Sequence, residues 1–361
     1  VLENLAITPA MRASDHSSYG NNSTKKVGME YRVMDDLMLR ATWAEGYRAP
    51  SLNNLYAGNS DAYPNLTDPC NKLTAAGAPI TNTPAGCAGV PATYRQANTQ
   101  IRITNVSSPD LQPETSTSRT VGFVYSPEWF EGFETTVDYY KINVEDAISR
   151  IGASLILNNC AQSASSPACL LVDRDSNGNV VDLRNGLVNQ GTYNVSGVDT
   201  YTSYKFPETS FGTFKAALDM SYVIDSIIGE QEYTGIQWGD AGYPRIKGSF
   251  SVDYMYEDFD AHWTARYVHH MDTYYTAIEG YTADDGFTER LPTYIVHDVS
   301  VGYSLDQFNT RLQFGVNNLF AKKPTPEGLD NGFSASTNNF SVTEYDVNMD
   351  RFVYLRATVK F

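Results

Sequence analysis

The sequence predicts an all-β protein, a transmembrane antiparallel β-barrel, and three observations support this fold class. Apolar and polar residues alternate with a period of two through most of the chain, which is typical of strands with two different faces. No run reaches the roughly eighteen apolar residues that a membrane helix needs. Short and long connections alternate between the strands, as in outer-membrane barrels, whose periplasmic turns are short and extracellular loops long.

The composition excludes some classes of function. The 361 residues include 26 Lys and Arg against 42 Asp and Glu, which gives a formal charge of -16. A protein that binds nucleic acid normally presents a basic face, so we expect no nucleic-acid partner. Hydrophobic residues make up 42% of the chain, as in folded rather than disordered proteins. The 25 tyrosines are the unusual feature.

About twelve strands follow from the alternation. In the C-terminal strand, Val353 and Leu355 belong to a row that suits lipid, whereas Tyr354 and Arg356 belong to a row that suits water. In chain order, the predicted strands cover residues 4–15, 24–34, 37–46, 115–125, 133–144, 193–206, 213–224, 243–256, 261–271, 293–305, 310–320 and 350–361.

The connections between these strands form two classes by length. The short ones, which we expect at the periplasmic end, are 35–36, 126–132, 207–212, 257–260 and 306–309. The long ones, which we expect to be extracellular loops, lie at about 48–114, 145–190, 225–242, 272–292 and 321–348. A soluble sandwich has no reason to keep every long loop at one end, so the alternation favours the outer-membrane barrel.

The polar row of each strand contains many charged residues. A soluble β-domain would place apolar side chains in its interior, so we expect this row to line a wet lumen. The alternative is the solvated face of an antiparallel sandwich, which leaves the loop alternation unexplained. The charged residues are Lys26, Glu30, Arg32, Lys215, Asp219, Arg245, Asp253, Arg266, Arg311 and Arg356.

Aromatic residues fall into two groups. Those beside the short turns, such as Trp129 and Phe130, match an interfacial girdle. Those in the long connections are candidates for a surface that stacks on a ligand. The alternative is that these rings pack the loops on each other or belong to the outer girdle. The candidate ligand-binding residues are Tyr56, Tyr94, Tyr233, Trp238, Tyr274, Tyr275 and Tyr281.

Four cysteines lie as two pairs, Cys70 with Cys87 and Cys160 with Cys169, each within one long connection. In an oxidising periplasm, local pairing is favoured over the other two connectivities, and each disulfide would hold together a loop that lacks a core. A metal site is the rival interpretation, but the sequence has no Cys-x-x-Cys and no His near either pair.

The segment with Asp173, Asp175, Asn177 and Gly178 resembles the start of a calcium-binding loop. The twelfth position, however, is Arg184, where such a loop has a bidentate Glu. An Asn-Gly turn that closes a hairpin explains the same residues. Calcium therefore remains a weak candidate at this segment.

Sequence motifs for catalysis are missing. The chain contains no Gly-x-Ser-x-Gly, His-Glu-x-x-His or phosphate-binding loop, and its five His are scattered. The adjacent His269 and His270 point to opposite faces of one strand, so they cannot act on one ligand. We therefore expect no catalytic residues, no enzyme activity and no cofactor.

Four segments carry a resemblance to a known family. They are the segment from Trp43 to Leu52, the Pro-Asp-Leu-Gln-Pro-Glu run that ends at Glu114, the segment 315–320 followed by Lys-Lys-Pro, and the C-terminal strand that ends in Phe361. In order and spacing, they resemble the C-terminal part of a TonB-dependent outer-membrane receptor. The resemblance implies that Phe361 is the terminal aromatic that such barrels present to the assembly machinery.

The resemblance also implies a domain organisation. Such receptors have 22 barrel strands and an N-terminal plug, so residues 1–361 would be the C-terminal part of the barrel, without the plug. The chain would then be a fragment. About ten strands would come from elsewhere, because an open sheet in lipid leaves the backbone N–H and C=O groups of its two edge strands without hydrogen-bond partners.

The function implied is active transport. The receptor would bind a scarce nutrient at the surface of the bacterial outer membrane and import it with energy from the TonB complex, which would act through the missing plug. The loops rich in Tyr and Asn favour an oligosaccharide or other organic nutrient, and a ferric chelate remains open. Membrane lipid, lipopolysaccharide and a surface lipoprotein are the other expected partners. The alternatives are a passive porin or adhesin, or an outer-membrane enzyme, of about twelve strands.

Overall fold

A computed structural model describes residues 4–17, 19–238, 241–280, 282–285, 288–323 and 350–360. Within these residues, twelve long strands form one antiparallel sheet in which each strand pairs with its neighbours in chain order. This confirms the predicted fold class. The strands are β1 (Leu5–His16), β2 (Gly20–Met34), β3 (Leu37–Arg48), β4 (Glu114–Tyr125), β5 (Phe133–Arg150), β6 (Val180–Lys205), β7 (Thr213–Ile228), β8 (Ile246–Tyr256), β9 (Phe259–Val268), β10 (Tyr294–Leu305), β11 (Thr310–Asn317) and β12 (Phe352–Val359).

The register gives the sheet two chemically different faces. Leu39 of β3 pairs with Phe123 of β4, which pairs with Val137 of β5, so apolar side chains form a continuous outer row. The next residues along β3 and β5, Arg40 and Asp138, lie on the opposite face. Because side chains alternate along a strand, one face suits lipid and the other suits a water-filled lumen.

An ion pair on the lumen face reaches across a whole strand at a glycine. Arg40 Nε donates to Asp138 Oδ1 at 2.7 Å, and Gly122 of the intervening β4 lies between them in the register. A Cβ at Gly122 would lie 2.2 Å from that carboxylate oxygen. Only a residue without a side chain leaves room for this contact.

The same arrangement occurs at the other side of the sheet. Arg311 Nη2 donates to Asp260 Oδ2 at 2.6 Å, across Gly302 of β10, where a Cβ would lie 2.4 Å from Asp260 Oδ1. On the same face, Arg266 Nε donates to Asp298 Oδ2 at 2.9 Å. Arg266 and Arg311, which the sequence places on the lumen row, therefore each pair with a carboxylate from another strand.

Two strands, β5 and β6, extend at least six residues further than the alternation predicts. β5 continues to Arg150 instead of 144, and β6 begins at Val180 instead of 193. Their backbones stay paired through Ile148 and Asn189, beyond a register shift after Val144. A shift of this kind breaks the period of two, so the alternation ends there although the strands do not.

The long connections carry most of the remaining structure. The helices α1 (Leu52–Tyr56), α2 (Ala153–Gln162) and α3 (Tyr274–Ala277) all lie there. No helix in the described part of the chain is long and apolar enough to cross a bilayer. The connections also contain the 3-10 helices Ala85–Gly89, Pro167–Leu171 and Ala283–Asp285, and the short strands Ser60–Ala62, Ile103–Val106, Val172–Arg174, Gln231–Glu232, Ile236–Trp238, Ala241–Gly242, Met271–Thr273 and Arg290–Leu291. A further 3-10 helix, Asp306–Phe308, lies in a short turn.

Candidate ligand-binding surface on the extracellular loops

Two long connections join into one folded unit, which we call the disulfide module (residues 49–113 and 151–179). Its two disulfides, Cys70–Cys87 and Cys160–Cys169, confirm the predicted local pairing. The loops are in direct contact, because a Cβ at Gly86 would lie 2.2 Å from the carbonyl oxygen of Cys160. The module also has a hydrophobic core that includes one residue of β6, and its buried members are Ile101, Ile103, Ile156, Leu157 and Leu183.

A buried ion pair fixes the two parts of the disulfide module together. Arg174 Nη1 and Nη2 donate to Asp68 Oδ2 at 2.5 Å and Oδ1 at 2.8 Å. The Cys70 amide and the Tyr94 hydroxyl donate to the same carboxylate at 2.9 Å. Burial alone would raise the pKa of Asp68, but these hydrogen bonds, that from Arg174 foremost, outweigh it and lower the pKa.

Tyr94 belongs to this network, which corrects its prediction as a ligand-stacking residue. Its side chain is buried, and its hydroxyl is engaged by Asp68. Burial, followed by the neighbouring negative charge of Asp68, raises its pKa well above the ordinary value. A ring held in this way packs the loops on each other, which is the alternative that the sequence left open.

The segment of the weak calcium candidate forms a hairpin turn. The carboxylate of Asp175 accepts hydrogen bonds from the amides of Asn177 and Asn179 at 2.9 and 2.8 Å. Asp173 lies 3.7 Å from Arg184, and the short strand Val172–Arg174 pairs with the start of β6. These contacts fit the turn interpretation, since protein donors already surround the carboxylate of Asp175.

A second folded unit, the tyrosine module, comprises the described residues of 229–245 and 269–292. It contains a four-stranded sheet, and it packs on the core of the barrel wall through Met271 and Leu291, both fully buried. Four of its tyrosine rings form a chain. Successive ring centroids lie 5.8 Å apart for Tyr243 and Tyr233, 6.2 Å for Tyr233 and Tyr274, and 5.8 Å for Tyr274 and Tyr275.

Three hydroxyls of this chain, those of Tyr233, Tyr243 and Tyr274, have a raised pKa and are neutral at physiological pH. Burial, followed by the hydrogen bond to Glu279, raises the pKa of Tyr274 to about 12. Burial also raises the pKa of Tyr233 and of Tyr243. Tyr233 is buried, whereas Tyr243, Tyr274 and Tyr275 are partly exposed. The tyrosine module therefore offers ring faces and hydroxyl groups chiefly from these three residues, a combination that suits polar organic ligands.

The tyrosine chain leads to a cavity of about 220 Å³ on the lumen face of the wall, next to the long connections. Tyr243 lines this cavity and is the first ring of the chain. The backbone of Ser226, another lining residue, accepts a hydrogen bond from the Tyr233 amide at 2.7 Å, which ties the module to β7. The lining residues are Val195, Ser221, Val223, Ser226, Gly242, Tyr243, Pro244 and Lys247.

Comparison with known proteins identifies the family. A family model described as "TonB dependent receptor-like, beta-barrel" matches residues 1–319. The chain belongs to the TonB-dependent receptor β-barrel family. This confirms the predicted resemblance, and with it the location in the outer membrane of a Gram-negative bacterium. No curated protein matches the sequence.

Three solved structures with a similar fold are named as receptors or a transporter. The ferric enterobactin receptor PfeA of Pseudomonas aeruginosa superposes with a TM-score of 0.65 at 16% identity, over 99% of this chain and 43% of the other. The siderophore receptor PirA of Acinetobacter baumannii gives 0.61 at 15% identity, over 98% and 43%. The copper transporter OprC gives 0.52 at 14% identity, over 99% and 46%. The chain thus spans less than half the length of these proteins, and the likeness shows a shared fold.

The receptor barrel brings only some of the predicted ligand-binding residues together. Tyr233, Tyr274 and Tyr275 share the tyrosine module, whereas Tyr56 lies on α1 in the other module and is 62% exposed. Tyr281, the side chain of Trp238 and the terminal Phe361 lie outside the described residues, as does most of the predicted loop 321–348.

Sequence reasoning missed two features of the wall. The cavity residues Ser221 and Ser226 of β7 and Lys247 of β8 come from two strands, and only the register brings them together. A larger cavity of about 510 Å³ lies at the short-turn end and includes Asp253 and His262. There, His262 Nδ1 lies 2.6 Å from Asp253 Oδ1. The period of two places these residues on the lumen row, but it does not show which neighbours they meet.

Proposed function

We propose that this chain is the barrel part of an active-transport receptor that takes up a nutrient with energy from the TonB system. Family membership supports this proposal, and so does the wet, charged lumen face behind an extracellular surface with a pocket. In this mechanism, the loops and the upper lumen wall bind the nutrient, and movement of a plug domain opens the path. The barrel residues hold and release the ligand, with no covalent step.

The expected cargo is a neutral organic nutrient rich in hydroxyl groups, such as an oligosaccharide. The observation that supports it is the chain of rings from Tyr243 through Tyr233 to Tyr274 and Tyr275, which starts in a cavity that also contains Ser221. Tyrosine faces pack on the apolar faces of sugar rings, and neutral hydroxyls on either side exchange hydrogen bonds.

A ferric chelate is the second candidate cargo. Arg245 precedes the cavity residue Lys247 by two positions, so both cations lie on the lumen row of the wall and would attract an anionic chelate. PfeA and PirA carry the names of ferric enterobactin and siderophore receptors. At 15–16% identity the likeness shows a shared fold only. Apart from Lys247 the cavity lining is uncharged, which favours the organic nutrient.

The twelve-strand porin or adhesin is less well supported. Within the part of the chain that the structure describes, β1 pairs only with β2 and β12 only with β11. A closed barrel of twelve strands would need the two edges to pair with each other.

Uptake by the source bacterium tests the transport proposal. Cells that produce the full-length receptor, cells that lack it and receptor-positive cells that lack TonB are given labelled oligosaccharides and labelled ferric siderophores. We expect uptake of an oligosaccharide that requires both the receptor and TonB. Receptor-dependent uptake that persists without TonB would indicate a passive channel. TonB-dependent uptake of ferric siderophores alone would retain the transporter and reject the neutral cargo.

A further inference from the structure

Two cations occupy the lipid-facing row of the sheet, on the side away from the lumen. Arg119 of β4 and Lys141 of β5 are direct partners in the register, and both are exposed. They share the face of Val121 and Tyr139, the adjacent pair on this row, because side chains two residues apart point to the same side. The lumen face is the one that carries Asp138 and Gly122.

This arrangement is unfavourable unless an anion is present. Like charges directly opposite each other in a sheet repel, and charge on the lipid face of a barrel is destabilising in the bilayer. In the described residues, neither Arg119 nor Lys141 has a carboxylate within ion-pair distance. Glu45 also lies on this face, opposite Thr117, but it accepts a hydrogen bond from the Lys25 amide and forms no ion pair with either cation. In the described residues the sheet thus holds two positive charges side by side without an ion-pair partner.

The position of the two cations along the strands indicates where the anion comes from. Towards the periplasm, the outer row of β4 is apolar through Val121 and Phe123. Towards the loops, the next pair on the same face is Thr117 with Asn143, which is polar. Arg119 and Lys141 are therefore the first polar pair on the loop side of these apolar residues, which is the side of the outer leaflet.

The cationic pair is a local feature rather than a property of the whole outer surface. Lys141 and Tyr267 occupy comparable positions on their strands, since each lies eight residues after the first residue of its strand, β5 and β9 respectively. Tyr267 pairs with Gly248 and Ile295, so the outer row on the far side of the sheet is uncharged at the comparable position.

We propose that Arg119 and Lys141 form a binding site for the phosphate group of an outer-leaflet glycolipid, the phosphorylated lipid A part of lipopolysaccharide. The Arg guanidinium can donate two parallel hydrogen bonds to a phosphate, and the Lys ammonium adds a point charge. Thr117 and Asn143, one step higher on the same face, place hydrogen-bonding groups beside the sugar headgroup. The acyl chains lie along the apolar row that contains Val121 and Tyr139.

The test uses the full-length receptor in vesicles that contain either bisphosphorylated lipid A or its dephosphorylated form, with bound lipid measured by native mass spectrometry. We expect wild-type receptor to prefer the phosphorylated lipid, and Arg119→Gln/Lys141→Gln to lose about tenfold to thirtyfold of that preference, since each surface cation contributes on the order of 1 kcal/mol to anionic-lipid binding. The charge-preserving variant Arg119→Lys/Lys141→Arg should retain most of the preference.

A matched control removes another pair of directly opposed cations. Lys205 and Lys215 are direct partners on the lumen face at the short-turn end, so Lys205→Gln/Lys215→Gln should leave lipid retention unchanged. Equal retention of both lipids by wild type, or an equal loss in the two double variants, would overturn the proposal. So would displacement of the lipid by millimolar inorganic phosphate, which would indicate a site for a free anion.

Discussion

The disulfide module and the tyrosine module both lie above the same barrel wall, but they are stabilised in different ways. The disulfide module has two covalent cross-links and a buried ion pair between Asp68 and Arg174. The tyrosine module contains no cysteine, and its buried residues Met271 and Leu291 belong to the core of the wall itself. The first is a rigid scaffold with its own interior, whereas the second is an extension of the wall that presents aromatic rings. Under the proposed function, mechanical support and ligand contact therefore belong to separate loops.

The largest effect should come from breaking the ion pair in the disulfide module. Asp68→Ala leaves the Arg174 guanidinium largely buried without its partner, which costs about 3–5 kcal/mol. Hydrogen exchange of the module's backbone amides should report this loss, with no change in the tyrosine module. The matched control is Asp61→Ala, because Asp61 and Arg102 form an ion pair with side chains 42% and 45% exposed and a solvent-exposed pair contributes little to stability. Equal effects of the two substitutions would contradict the stabilising role of the buried ion pair, and slower or faster exchange in the tyrosine module would contradict the division between the modules.

The next effect should come from the cross-links. Cys70→Ser/Cys87→Ser opens a disulfide that spans 17 residues, and loop-closure entropy predicts a loss of about 3 kcal/mol. Cys160→Ser/Cys169→Ser opens a span of 9 residues and should cost slightly less. Protease cleavage of the module under native conditions measures both. A module that resists protease equally in both variants and in wild type would show that the hydrophobic core alone is sufficient.

A smaller and different effect is expected in the tyrosine module. Tyr274→Ala/Tyr275→Ala removes the outer half of the ring chain and should weaken cargo binding by about tenfold, since stacked aromatic contacts contribute about 0.5–1.5 kcal/mol each. Hydrogen exchange of the disulfide module should stay at the wild-type level. Tyr63→Ala, which removes an exposed ring of the disulfide module, serves as the control. Unchanged affinity in the double variant would remove the tyrosine module from the binding surface.

The smallest effect is a dependence of the disulfide module on acid. The pKa of Asp68 is lowered in the folded protein, so its contribution to stability is present in full above the unfolded value of about 3.9 and declines as pH falls through the folded value below it. Amide exchange corrected for intrinsic rates should therefore speed up in the disulfide module below about pH 4. Asp68→Asn should abolish this pH dependence. A wild-type exchange rate that does not change as the pH falls would contradict the prediction.

The sequence predicts the barrel wall well and the loops poorly, and the physical reason is the range of the interactions. In β3 and β4, the period of two reports directly which side chains face lipid, because each strand has one environment on each side. The cysteine pairs were also predictable, since each lies within one loop.

The sequence pattern does not predict the surroundings of Tyr94. Its partners Asp68 and Arg174 lie 26 residues before it and 80 residues after it, and no local pattern distinguishes a buried loop tyrosine from an exposed one. The last six residues of β5 were not predicted for a related reason. The period of two persists only where the hydrogen-bonded ladder between strands is uninterrupted, and the register shift interrupts it.

The glycines at 122 and 302 have a consequence for assembly of the wall. Each permits a contact between strands that are not neighbours, and that contact exists only when three strands are aligned correctly. A slip of one residue in β4 would turn Val121 or Phe123 towards the lumen, between Arg40 and Asp138, and would separate the two charges. The ion pair therefore favours the native register. A misaligned intermediate places a bulky side chain between two unpaired charges, and only the native alignment of the three strands brings the charges together.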